Sequence, residues 1–234
     1  MMLLHRLGVP AGSDQAIAGC ARLWHAARFF DGGLNLAKTI DEPETCITSM
    51  LVLLAAVFGY DDGRLDPTVH WLVRQQLADG GWNCEAIRSG SVHGSFHTSI
   101  CVLEALHAYR SVEHRVDVDA AIAAGAQFFL AHRLYRSHRT GEVVDVAFTR
   151  FPFPPQWHFD VLRGLEFFRS IDWTPDRALE EAVSVVRKAR RPDGRWPVHR
   201  PYPGRYWFEL EPAGPGRWPT LRALRVLDWW DDGA

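Results

Sequence analysis

The sequence predicts an all-α fold of about four helical hairpins. Three observations predict it. Helical periodicity is plentiful, while strand signals are few. Amphipathic helices alternate with helices that are apolar nearly all round. The apolar helices also echo one another at a spacing of roughly 50–60 residues, long enough for two helices and two loops.

Each hairpin pairs an outer, amphipathic helix with an inner, apolar one. The first covers 14–30 with 44–59, the inner helix being the apolar run around Ile47 to Phe58. The second covers 66–78 with 96–110; Val69, Leu72, Val73 and Leu77 mark its outer helix, which Asp66-Pro67 is expected to open as cap and first helical residue. The third covers 117–134 with 157–170, its outer helix marked by Val118, Ala121, Ile122, Gly125 and Phe129 after Asp117. The fourth covers 175–190 with 217–230, with Leu179, Ala182, Val183 and Val186 on one face and Asp176 or Thr174 as cap. Residues 1–13 form an N-terminal arm, and 14–234 a single domain.

The repeat is visible in letters. The segment Val102 to Ser111 shares five of ten residues with Val161 to Ser170, an offset of 59. Thr48-Ser49 parallels Thr98-Ser99 at an offset of 50, and Leu221-Arg222-Ala223-Leu224 echoes the same core. Gly turns join outer to inner helices at Asp31-Gly32-Gly33-Leu34, Asp79-Gly80-Gly81-Trp82, Thr140-Gly141 and Asp193-Gly194-Arg195-Trp196. Asp-Gly suits the left-handed turn positions, and the Trp or Leu that follows packs back between helices.

Composition narrows the partners. Across 234 residues, 26 Lys and Arg against 28 Asp and Glu leave a net charge of −2, so no global field attracts nucleic acid or anionic lipid. Only Lys38 and Lys188 are lysines. The longest apolar run, Met50 to Phe58, is far below the roughly 18 residues of a membrane span. No leader is visible before Pro10, and Cys20, Cys46, Cys84 and Cys101 show no disulfide rhythm. The expectation is a cytoplasmic protein whose cysteines are core fillers or metal ligands.

Gln76-Leu77-Ala78-Asp79-Gly80-Gly81-Trp82 fits a Gln-x-x-x-Gly-x-Trp pattern fully, and Arg190 to Trp196 fits it with Arg in place of Gln. On this motif and the repeat, the chain from about Asp14 to Trp230 resembles the α/α toroid of squalene–hopene cyclases and protein prenyltransferase β subunits. The resemblance implies a ring of hairpins around a central cavity that takes an isoprenoid or another apolar small molecule. The family's ring has five to seven hairpins, so four imply a smaller ring, or one completed by a second copy or a partner chain. Neither an Asp-x-Asp-Asp acid motif on an inner helix nor an Asp-Asp-x-x-Asp magnesium motif is present.

The same resemblance implies that inner-helix starts ring one mouth of the cavity. Glu44-Thr45-Cys46 resembles the first half of the prenyltransferase zinc site and Phe96-His97-Thr98 the second, with Cys84 near enough in sequence to join. Glu44, Cys46, Cys84 and His97 are therefore candidate Zn²⁺ ligands, and a zinc-bound thiolate or water would be the activated group. The alternative is that the cysteines are small buried side chains and His97 caps a helix. His158 and Asp160 form a candidate acid/base pair, or serve as cap and turn groups. His132, Arg133, Arg136, His138 and Arg139 are a candidate diphosphate-binding cluster, or a solvated helix end. Phe96, Trp157 and Trp218, with Phe148, Phe151, Phe153, Phe159, Trp207 and Phe208, would line an apolar cavity or pack between hairpins.

Two other functions compete. A glycan-active barrel needs facing carboxylates, for which Glu44 and Asp160 are the only pair; a thioether-forming one needs Cys/Cys-His zinc, yet no Cys-His dipeptide exists. A non-catalytic binding or scaffold module, completed by a partner, needs no acid motif at all.

Overall fold

The computed structural model describes residues 1–112, 116–204, 206 and 208–233. The fold is mostly helical, with two minute two-stranded sheets. Two compact units divide it, Met1–Phe128 and Phe129–Ala234, and the boundary falls within one helix. Among the described residues no helix is long and apolar enough to cross a membrane.

The first unit begins with α1 (Met2–Arg6), whose Arg6 makes two bonds of 2.6 and 2.8 Å to the Glu104 carboxylate. Met1, Met2 and Val9 pack onto Ala16, Cys20, Leu54 and Phe58, so residues 1–13 carry part of this core. The outer helix α2 (Asp14–Ala26) ends four residues before the expected 30. Strand β1 (Arg28–Phe30) takes over and pairs with β2 (Gly33–Asn35). The physical reason is the Asp31-Gly32 turn, both residues at positive φ, which closes a two-residue hairpin.

The inner helices α3 (Thr45–Phe58) and α6 (Phe96–Arg110) lie side by side and form the heart of this unit. Leu51, Val52, Leu53 and Leu54 of α3, and Ile100 to Leu103 of α6, are at most 3% exposed. Each such side chain contributes about 1.5–3 kcal/mol relative to exposure. Helix α4 (Leu65–Arg74) packs on α3; the short α5 (Glu85–Ser89) follows the Gly turn; and α7 (Asp119–Ala131) runs into the second unit. Asp66 does not cap α4, which starts one residue earlier. Its carboxylate accepts instead from the Tyr109 hydroxyl at 2.6 Å.

In the second unit, α8 (Val161–Ser170) and α10 (Arg217–Asp232) pack together, with α9 (Glu180–Lys188) against both. Asp176 caps the turn that leads into α9, its Oδ1 accepting from Ala178 N–H at 2.7 Å. Strands β3 (Trp196–Pro197) and β4 (Pro215–Gly216) pin the loop before α10. Helix α8 starts at 161 rather than the expected 157. Gln156 sits at positive φ and Asp160 in extended backbone at the cap position, its Oδ1 accepting from Arg163 N–H at 2.8 Å, so the helix begins after it.

The motif has a physical meaning. Gln76 donates from Nε2 to Gly80 O and Ala121 O at 2.8 and 2.9 Å, and the fully buried Trp82 donates its indole N–H to Leu72 O at 2.8 Å. The second copy repeats this geometry. Arg190 Nε donates to Gly194 O at 3.1 Å, its guanidinium lies 5.4 Å from the Trp196 ring, and Trp196 donates to Val186 O at 2.7 Å. A hydroxyl one turn into the inner helix then holds the turn's backbone: Thr48 on Leu34 N at 2.8 Å, Ser99 on Trp82 N at 2.8 Å, Thr220 on Trp196 N at 3.0 Å. By this role Thr48 corresponds to Ser99, so the first two repeats are related by 51 residues; the letter match at 50 is one residue out of step.

Gly80 sits at φ +85°, and a Cβ there would stand 2.4 Å from Ala124 O. Gly141 has a similar φ of +75° but open space around it. Gly80→Ala is expected to cost about 3 kcal/mol or more, and Gly141→Ala about 1 kcal/mol, the strain of the left-handed backbone alone. Urea denaturation of both variants measures the difference.

Candidate functional site

Two groups of side chains stand out, one in each unit. In the first unit, Cys84 immediately precedes α5, and α3 and α6 both direct donors at it. The backbone N–H of Cys46, in the first turn of α3, donates to Cys84 Sγ at 3.2 Å. The Thr98 hydroxyl, in the first turn of α6, donates to the same sulfur at 3.5 Å. The Cys46 thiol neighbours the same sulfur. That neighbour and the two donors favour the anion, so the Cys84 thiol drops to about 7, while Cys46 is held well above the usual thiol range.

The four sequence-predicted zinc ligands meet only in part. Cys46 and Cys84 touch. Glu44 is engaged by Arg88 Nη2 at 2.9 Å, in a cluster where Glu42 holds the same guanidinium at 2.6 Å. His97 is half-buried on the first turn of α6, and Phe96 is buried against Phe128, ring centroids 5.5 Å apart. Among the described residues no group of three or more His, Cys, Asp or Glu is placed to hold a metal ion. Two thiols fall short of the three or four protein ligands of a zinc site, so no chemical step is assigned to zinc.

In the second unit, the group centres on the cap residue of α8. Asp160 is completely buried. Its Oδ1 is spent on the cap, and its Oδ2 has no hydrogen-bond partner among the described residues. Arg222 of α10 approaches Oδ1 to 4.0 Å but is anchored to Glu166 by bonds of 2.7 and 2.9 Å, and its Nη1 is likewise buried without a partner. Loss of water outweighs the guanidinium and raises the Asp160 carboxyl to about 6.

Aromatic rings cluster in the same unit. The His158 ring lies between Trp157, at 3.8 Å, and Tyr202, at 3.5 Å. Burial lowers the His158 pKa and lifts the Tyr202 hydroxyl to about 12, with Asp160 adding to the latter. Phe153 stacks on Trp218 at 5.1 Å and lies 6.0 Å beneath the Arg222 guanidinium. Phe153 is also one wall of a cavity of about 610 Å³, which His199, Tyr206 and Phe208 line as well. The Nε2 of His199 is buried without a partner. Phe148, Phe151 and Phe159 are core residues, and Trp207 lies outside the described residues.

The predicted diphosphate cluster is partly committed elsewhere. Arg136 Nε binds Glu181 at 2.7 Å, and its Nη1 binds Gly141 O at 2.8 Å. His132 and His138 bond each other at 2.9 Å, while Arg139 is exposed. Arg133 lines a cavity of about 710 Å³ together with the carboxylates of Glu180 and Glu181.

Tyr202, Arg222, Glu166 and His199 are the site residues that sequence reasoning missed. Charged residues inside otherwise apolar inner helices were the available signal for Arg222 and Glu166. Nothing local marked Tyr202 or His199, which a long loop delivers.

Because the folded chain keeps the Asp160 proton up to about pH 6 while the unfolded chain releases it near 3.8, stability falls as pH rises through that interval. Asp160→Asn keeps the cap, removes this slope, and is expected to stabilise the chain at pH 8 by on the order of 2 kcal/mol. Denaturation midpoints of both proteins between pH 4 and 8 check it. Neither a protein-family profile nor a curated protein matches this chain.

Proposed function

We propose that this chain is a terpenoid cyclase/prenyltransferase-like toroid that binds an isoprenoid or similar apolar molecule in its second unit, with Asp160 as the acid. The observation that carries the reading is the fully buried Asp160 carboxyl, whose Oδ2 has no hydrogen-bond partner among the described residues, in a unit that also holds a cavity of about 610 Å³ lined by Phe153, Tyr206 and Phe208. A carboxyl raised to about 6 holds its proton longer than an exposed one and can pass it to an electron-rich double bond. Arg222, at 4.0 Å, would stabilise the carboxylate left behind. The faces of Phe153, Trp157 and Trp218 suit the cation formed on the ligand. The letters of the family's acid motif are absent, and one aspartate in a dry site supplies the same property.

Titration with farnesol, followed by Trp157 and Trp218 fluorescence, tests the ligand class. Saturable quenching is expected, weakened about ten-fold in a Phe153→Ala, Phe208→Ala double variant. Incubation with squalene or farnesol and product analysis tests the chemistry. Asp160→Asn should bind as before and form no product. Binding without turnover in the wild-type chain would select the non-catalytic module instead.

A further inference from the structure

Cys46 and Cys84 are 38 residues apart in sequence and touch in the fold. Both are partly exposed, whereas Cys20 and Cys101 are 0% and 1% exposed, Cys20 donating to Leu54 O. Cys84 Sγ lies 3.2 Å from the Cys46 backbone nitrogen, so the two residues are neighbours. The donors on Cys84 come from the starts of two long helices, so negative charge on that sulfur is favoured. One sulfur is thus arranged to attack and its neighbour to resolve.

We propose that Cys84 and Cys46 form a thiol–disulfide exchange site for small disulfides, with Cys84 as the attacking and Cys46 as the resolving sulfur. The Cys84 thiolate attacks one sulfur of the small disulfide, forming a mixed disulfide and expelling a thiolate. Cys46 gives its proton to that thiolate, and its sulfur then attacks Cys84, expelling the second thiolate, which takes a proton from water. The protein dithiol is oxidised to a Cys46–Cys84 disulfide, and one small disulfide is reduced to two thiols. This inference stands on the first unit and does not depend on the ligand reading of the second.

The test uses the full chain and oxidised glutathione, with peptide mapping under non-reducing conditions. A Cys46–Cys84 cross-link reversed by dithiothreitol is expected, with Cys20 and Cys101 unmodified. Cys46→Ser should accumulate a stable glutathione adduct on Cys84. Cys84→Ser should slow the reaction of Cys46 about ten-fold or more. The idea fails if the wild-type chain leaves both thiols free where an unfolded control is modified. It fails equally if the two carry separate adducts without a cross-link, or if Cys46 reacts as fast without Cys84.

Discussion

The indole N–H bonds of Trp82 and Trp196 organise what surrounds them. A tryptophan is the largest side chain a core can take, and its N–H must find an acceptor once water is gone. Here each indole meets the carbonyl ten residues upstream, near the end of the outer helix it follows, at 2.8 and 2.7 Å. That bond fixes the direction of the turn between. The turn then presents its backbone to Ser99 or Thr220 at the head of the next inner helix. Helix, turn and helix are held by one buried ring and two short polar contacts.

Four outer and four inner helices were legible in the sequence, because the 3.6-residue period and the Gly turns are local signals. The misses have local causes too. Asp31-Gly32 reads as a turn out of a helix running to 30, but it closes a strand hairpin, since two consecutive positive φ values favour paired strands. The cap formed by Asp160 starts α8 four residues later than expected, and a local reading of the letters does not mark it as the first capped position. Asp160 was visible as a carboxyl at a helix start. Its burial was not, because the groups that dry it, Arg222 and Tyr202, lie 62 and 42 residues further along the chain. The pairing of Cys46 with Cys84 was suggested only through the resemblance; two separate helix starts bring it about.

The two units put the same design to different use. In the first, α6 begins at once after its cap, and its head carries the small hydroxyls of Ser95, Thr98 and Ser99 beside His97. In the second, the shortened α8 admits long side chains from α10 and from the loop before it, so charge and aromatic surface enter where the first unit has hydroxyls. The ion pair of Arg222 with Glu166 is a costly thing to bury, and removing one partner leaves the other stranded.

Arg190 stands where Gln76 stands in the other copy, and its guanidinium reaches the equivalent glycine carbonyl while covering the indole. What that corner of the repeat requires is therefore a hydrogen-bond donor of a certain reach, and two unrelated side chains meet the requirement. A search keyed to glutamine overlooks such corners. Repeats of this architecture can then be more numerous in protein sequences than their amino-acid signature suggests, and are better sought by the chemistry of the position than by its spelling.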